Sequence, residues 1–433
     1  MEKIRLKGDL LYPIRDIKND PKAGILTGIT VGFWHLFALA LICLFTIPAV
    51  ADSDTGMYDP VATGRSDLPE AGLTYLLGLC DETSEAALDF SKVDPVVNFI
   101  LKADELSKPT LEPREEINGA FIAYTLERPL PEALRYAYNQ QIPEGAINAS
   151  SVNYSQWEIT SAGTAGPPEL WRMLTDLSKP KTVRGVVRET ISPDLHTGAY
   201  YEYGLKRAFL LYQQGDFRVM FSISNQMGES DVGKKGFIVG DDQDWSYLYT
   251  QENGLNKGGL GWMKTRIYKF FSICAYIEDL NRPGKVKIGI FQWLGAGWAG
   301  FNLVESHHIR KGMERQTTQF KALLESEKMP SADKLERVYR SLNRLDEATL
   351  REKATEAVSF ICDKARNDEK LKRKKAVSKL DPEAYVATMD KNQLVSELMR
   401  EFMKFTFGKE TPLGPFFMVA LKDPVPSTPM PLS

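Results

Sequence analysis

Across 433 residues the chain carries four cysteines, four histidines and no large excess of either charge: 54 Lys and Arg stand against 57 Asp and Glu, a formal net charge of −3. Each scarcity excludes something. The near balance of charge gives no global reason to expect nucleic acid as a partner. Four cysteines build no disulfide framework: beyond residue 51 there remain Cys80, Cys274 and Cys362, an odd number. Cys274 falls on a strand pattern and Cys362 on an apolar helical face, where cysteine serves as a small core residue. No G-x-S-x-G nucleophile elbow occurs, and Asp241-Asp242-Gln243-Asp244 lacks the spacing and terminal glutamate of a calcium-binding EF-hand loop. That acidic run reads as a hairpin turn with solvated acids.

Charge is missing altogether from Gly24 to Ala51. A run of that length can cross a bilayer as a helix, and it ends in Pro48-Ala49-Val50-Ala51, the helix breaker and small-x-small triplet of a signal-peptidase site. Lys18 and Lys22 precede the run while Asp52, Asp54 and Asp59 follow it, which orients the N-terminus toward the cytoplasm. Residues 1–51 are therefore read as a signal peptide or an N-terminal membrane anchor, and the bulk of the chain as extracytoplasmic, periplasmic or secreted. Membrane contact is expected through this segment if it is not cleaved. Cys43 is followed by Leu44 and does not fit a lipid-modified cysteine.

What is present is enough for a substantial core, with 43% hydrophobic and 26% charged residues. Residues 52–113 read as a linker and short helices, one of them starting at Asp94-Pro95 with Val96, Val97, Ile100 and Leu101 on its apolar face. Residues 114–312 read as an antiparallel β domain. Its centre is Met263 to Phe301, where Ile267, Phe271, Ile273, Ala275 and Ile277 alternate with Tyr268, Phe270, Ser272, Cys274 and Tyr276, and a turn at Asp279–Gly284 leads into Val286, Ile288 and Ile290. Hairpins around Gly215-Asp216 and around Gly240–Asp244 add to a meander. Residues 313–409 have helical periodicity, with starts at Ser331, Asp346, Asp381-Pro382 and Asp390 and a stop at Gly408; residues 410–433 form a Pro-rich tail. The fold class expected is α+β, a curved antiparallel β-meander or partial barrel packed against a C-terminal group of α-helices.

Several motifs carry chemistry in other settings. Gly295, Gly297 and Gly300 spell G-x-G-x-x-G after a strand, but no helix and parallel strand follow; Gly289, Gly295, Gly297 and Ala299, which share a parity with Phe291 and Trp293, are read instead as a bare strip onto which the C-terminal helices pack, rather than as a ligand site. Glu305-Ser306-His307-His308 offers metal-ligating atoms, yet neighbours on an extended chain point to opposite faces, and no metal site or cofactor is assigned. Lys370-Leu371-Lys372-Arg373-Lys374-Lys375 reads as a solvated helix end. Asn148-Ala149-Ser150 and Asn153-Tyr154-Ser155 fit glycosylation sequons.

The functional expectation is a non-catalytic cell-envelope protein binding an apolar or lipid-like ligand, or a partner protein, on an aromatic-rich sheet face. The ligand-contacting candidates are Tyr247, Tyr268, Phe270, Trp293 and Trp298. Two alternatives stand beside it: an exported hydrolase using His196 or His307 with a carboxylate such as Asp242 or Glu305, and a structural scaffold with no small-molecule site.

Overall fold

The structure, a computed structural model, describes residues 68–81, 88–105, 107–160, 166–195, 197–257 and 261–420. The leader or anchor expected at 1–51, the segment at 52–67, His196 and the end of the Pro-rich tail lie outside the described residues. The described residues all fall within one compact unit.

Two helices come first, α1 (Glu70–Gly78) and α2 (Phe90–Lys102). Then follow β1 (Gly119–Leu126), α3 (Leu130–Tyr138), α4 (Glu144–Ile147), β2 (Val152–Thr160) and α5 (Leu170–Met173). The strand-rich middle holds β3 (Lys181–Ile191), β4 (Ala199–Tyr200), β5 (Glu202–Gln214), β6 (Phe217–Gln226), β7 (Lys234–Ile238), β8 (Tyr247–Asn253), β9 (Leu255–Lys257), β10 (Gly261–Met263), β11 (Thr265–Asp279), β12 (Val286–Trp298) and β13 (Phe301–Asn302). Helices α6 (Ser306–Leu324), α7 (Ala332–Arg344), α8 (Glu347–Asn367), α9 (Lys375–Ser378), α10 (Pro382–Ala387), α11 (Lys391–Phe407) and α12 (Gly414–Ala420) complete the order.

The main sheet runs β1-β12-β11-β6-β5-β3-β2 with every neighbour antiparallel, β13 folding back on β12, and it does not close into a barrel. The mixed α and β architecture with C-terminal helices is as the sequence pattern predicts. One hairpin departs from it. Strands β7 and β8 leave the meander and pair with β4 in a separate three-stranded sheet.

Alternation along each strand divides the core in two. On one face Phe121, Ala208, Phe221, Ile223, Ile273, Ala275, Phe291 and Trp293 pack against Leu73 and Leu76 of α1 and Val93, Val96, Val97 and Ile100 of α2. Helix α2 begins at Phe90, not at Asp94: Asp89 caps it by accepting from the Ser91 amide at 3.0 Å. Pro95 lies inside, where its absent N–H forgoes only a bond to the carbonyl of Ser91 in the first turn. The bare strip of β12 faces these N-terminal elements and not the C-terminal helices. A Cβ on Gly289 would come within 2.7 Å of Ile100, and one on Gly295 within 2.4 Å of Ile117. The sequence pattern misassigned the partner because periodicity tells that a strip is covered, not by what.

The other face meets α3, α4, α6 and, behind them, the remaining C-terminal helices. Their starts follow the capping signals. Ser331, Asp346, Asp381 and Asp390 each accept a backbone N–H from the first turn, and Gly408, at φ +71, ends α11. Helix α11 is buried without interruption from Leu394 to Lys404, so it is the centre of the helical layer. Its charged residues are neutralised along the helix, Glu397 by Arg400 and Glu401 by Lys404 at 2.7 Å.

Candidate functional site

Cross-strand register lines up side chains from distant parts of the chain. Arg207 on β5 lies opposite Ser224 on β6, Ser224 opposite Ser272 on β11, and Ser272 opposite Gln292 on β12. Four adjacent strands thus carry one polar row across a face that elsewhere holds Phe209, Leu211, Met220 and Ile288. A bulge at Tyr268, between Ile267 and Lys269, shifts the parity of β11 so that Ile267 joins Phe270 and Ser272 on this face.

Over the row lies a cleft of about 290 Å³. Its floor adds Glu189, Tyr203, Ser222, Cys274 and Tyr276 to the polar row; its walls are Tyr138 of α3, Glu144 of α4, Asn148 and Ser150 just beyond it, and Arg315, Gln316, Thr317 and Phe320 of α6. A more open depression of about 370 Å³ lies over α8, lined by Val239, Gly240, Phe360, Asp363, Lys364, Asn367 and Asp368. It gathers fewer converging polar groups than the cleft does.

Arg207 organises the floor. Its guanidinium donates to Glu189 at 2.6 Å and to the Ser224 hydroxyl at 3.0 Å, and its Cζ lies 5.9 Å from the Trp157 ring. Burial works against its charge, but Glu189 and then Glu144 more than offset this and hold its pKa above the usual range. Glu144 is the opposite case. Burial, then repulsion from Glu189, pushes its carboxyl up to about 7 against the pull of Arg207 and a hydrogen bond from Ser155. The Asn148 side-chain oxygen is buried without a hydrogen-bond partner. The phenols of Tyr138 and Tyr276 lie 3.4 Å apart. Burial drives Tyr124, Tyr203 and Tyr276 well above the usual phenol value and the Cys274 thiol up to about 12, so these groups stay protonated near neutrality.

Of the five aromatic candidates, the cleft takes in Phe270, whose ring centroid is 6.1 Å from that of Tyr203. The other four are elsewhere. Trp293 is fully buried on the opposite face, its indole N–H donating to the Glu112 carbonyl at 2.9 Å under the guanidinium of Arg114. Tyr247 sits in the small sheet and donates to Asp242 at 2.9 Å. The Tyr268 hydroxyl accepts from the Gly300 amide at 3.0 Å, and Trp298 is exposed at the end of β12.

His307 and His308 open helix α6 rather than extending a strand, and their ring centroids lie 3.8 Å apart. His307 is exposed, 3.2 Å from the Glu305 carboxylate, while His308 accepts from the Glu305 amide in a capping box. Asp242 is not solvated as the acidic run suggests. It receives Arg315 Nε at 2.8 Å, Gln319 Nε2 at 2.7 Å and the Tyr247 hydroxyl, which bind the β7–β8 connection to α6. The carboxylate found beside His307 is that of Glu305. The G-x-G-x-x-G glycines serve the β12–β13 turn: a Cβ on Gly297 would lie 1.9 Å from the Phe301 carbonyl, and Gly300 takes φ +83. The sequon residues lie in the interior too, Asn148 on the cleft wall and Asn153 accepting from Arg400 at 3.0 Å.

Sequence reasoning missed Glu144, Glu189, Arg207 and the serine–glutamine row. A signal existed: Ser222, Ser224, Ser272 and Gln292 alternate with Phe221, Ile223, Ile273 and Phe291, which are polar positions on strands otherwise suited to a core. Neither known protein-family models nor curated protein sequences match this chain.

Proposed function

We propose that the chain is an extracytoplasmic, non-catalytic binding protein that holds a small polar molecule in the cleft over the main sheet. The polar row of Arg207, Ser224, Ser272 and Gln292 carries this reading. Covering polar groups costs free energy unless they are hydrogen-bonded, and the same strands supply apolar residues wherever packing alone is at stake. The row's chemistry redirects the ligand expectation from a lipid-like molecule to a polar one that exchanges hydrogen bonds with hydroxyl, amide and carboxylate groups. The thiol and phenols of the cleft are raised away from nucleophilic forms, which favours binding over covalent chemistry. Support for export is in the uncharged run Gly24–Ala51 and the Ala49-Val50-Ala51 triplet. Among the described residues no helix is long and apolar enough to cross a membrane.

A partner-protein reading has one observation behind it. The β12–β13 corner exposes Trp298 (39%), Phe301 (69%) and Leu303 (47%) together.

Native mass spectrometry of the protein from its own cells, before and after solvent extraction, tests the main reading. A small polar mass retained by the wild type and lost from Ser272→Phe, which fills the cleft, is the expected result. A lipid removed by solvent and indifferent to Ser272→Phe would overturn it.

A further inference from the structure

We infer that the occupant of the cleft is a small organic cation, a protonated amine or quaternary ammonium, with Glu144 as its counter-ion. This rests on the reading of the cleft as a binding site and adds the charge of the ligand.

The argument is one of unmatched groups. Each guanidinium lining the cleft already has its carboxylate: Arg207 holds Glu189, and Arg315 holds Asp242 while also donating to the Pro193 carbonyl at 3.1 Å. Asp194 accepts from the amides of Thr197 at 2.7 Å and Ala199 at 3.1 Å. From α11, behind α4, the facing charges are Glu397 and Arg400, which neutralise each other. Glu144 shares the attraction of Arg207 with Glu189 and takes a hydrogen bond from the Ser155 side chain, with no ion pair of its own among the described residues.

A cation seated at Glu144 gives that carboxylate an ion-pair partner and relieves the repulsion from Glu189. Asn148, one helical turn further along the same wall, offers a buried side-chain oxygen that lacks a donor, which the N–H of a protonated amine or the hydroxyl of a choline-like cation supplies. Tyr138, Tyr203 and Phe270 provide aromatic surface of the kind that attracts organic cations. Among the described residues no group of three or more His, Cys, Asp or Glu side chains could hold a metal ion, which favours an organic cation over a metal.

The test uses the full chain and two probes of nearly equal shape, choline and its uncharged counterpart 3,3-dimethyl-1-butanol, by calorimetric titration at about pH 6 and about pH 8. Choline carries a permanent charge, so only the protein titrates. The expected result is choline binding at least about tenfold tighter than the alcohol at the higher pH, weakening toward the lower as Glu144 takes up its proton, with the preference abolished in Glu144→Gln. Thermal unfolding at the lower pH checks that the variant folds, and Asn148→Leu, which removes the second acceptor, is expected to weaken choline several-fold. Equal binding of both probes, indifferent to pH and to Glu144→Gln, overturns the charge assignment and leaves the cleft as a binding site. Failure of both probes while the native protein retains a polar ligand in the Ser272-dependent manner above overturns this inference alone; failure of both with no retained ligand overturns both readings.

Discussion

Two rows of residues cross the main sheet one position apart. Arg207, Ser224, Ser272 and Gln292 face the cleft; Ala208, Ile223, Ile273 and Phe291, their immediate neighbours on the same four strands, are fully buried under the N-terminal helices, and Phe121 extends the row onto β1. The strands are the same and so is the register. The face turned toward α1 and α2 is a continuous apolar contact, with Phe121 and Phe291 rings 4.6 Å apart, whereas the face turned toward α3, α4 and α6 keeps ion pairs, hydroxyls and space. One side of this sheet is packed for stability, and the other keeps polar groups that packing alone does not require. Because side chains alternate with period two, a one-residue slip would exchange the two sets, which places strong selection on register.

The comparison predicts unequal costs. Trp293→Ala, on the apolar face, is expected to lose about 3–5 kcal/mol in denaturant unfolding, since it empties a fully buried site and leaves the Glu112 carbonyl without its donor. Ser272→Ala on the cleft face should change stability by less than about 1 kcal/mol. Similar losses for both would end the distinction between the faces.

Arg207→Met is next, at roughly 3–5 kcal/mol near pH 8, because it strands Glu189 and Glu144 together without a cation. The deficit should shrink in acid, where Glu144 is neutral; a pH-independent loss would mean that packing of the arginine stem matters more than its charge.

Gly289→Ala tests the apolar face at its closest approach. Its Cβ meets Ile100 at 2.7 Å, so α2 must shift, at a cost of about 1–3 kcal/mol. Proteolysis should open the segment around 90–102 before the sheet. Cleavage elsewhere first would show that α2 is not the element displaced.

Glu144→Gln has the most pH-dependent effect. Folding raises this carboxyl from its usual 4.5 to about 7, so the wild type has the full benefit of the protonated form below about pH 4.5 and loses it as the pH rises through about 7. Glutamine keeps a neutral side chain throughout. The variant should match the wild type in acid and exceed it by roughly 1–3 kcal/mol above pH 8. Parallel stability curves for the two proteins would remove Glu144 from the list of strained groups.

Much of the architecture was legible in the chain, for local reasons. Turn residues such as Gly215 at φ +54 and Gly284 at φ +101 fixed the hairpins, and the caps at Ser331, Asp346, Asp381 and Asp390 fixed four helix starts. The site was far less legible. Reading bulky aromatics as ligand contacts gathered Trp293 from the core, Trp298 from a corner and Tyr247 from another sheet, because aromatic content reports buried area and not which surface is left open. Arg207 and Glu189 are separated by strand β4 and a loop, and Glu144 comes from a four-residue helix with no periodicity to mark it.

The sequence by itself determined which segments become strands and helices and which of their faces are apolar, since those follow from alternation, capping and turn chemistry within a few residues. Only the tertiary structure decided that Ile100 of α2 and Ile117 before β1, rather than the C-terminal helices, cover Gly289 and Gly295 of β12, that Asp242 is locked to Arg315, and that Glu144, Glu189 and Arg207 share one cleft. Those outcomes depend on strand order and register across the sheet, and the pairing of strands far apart in the chain is a choice that no local pattern encodes.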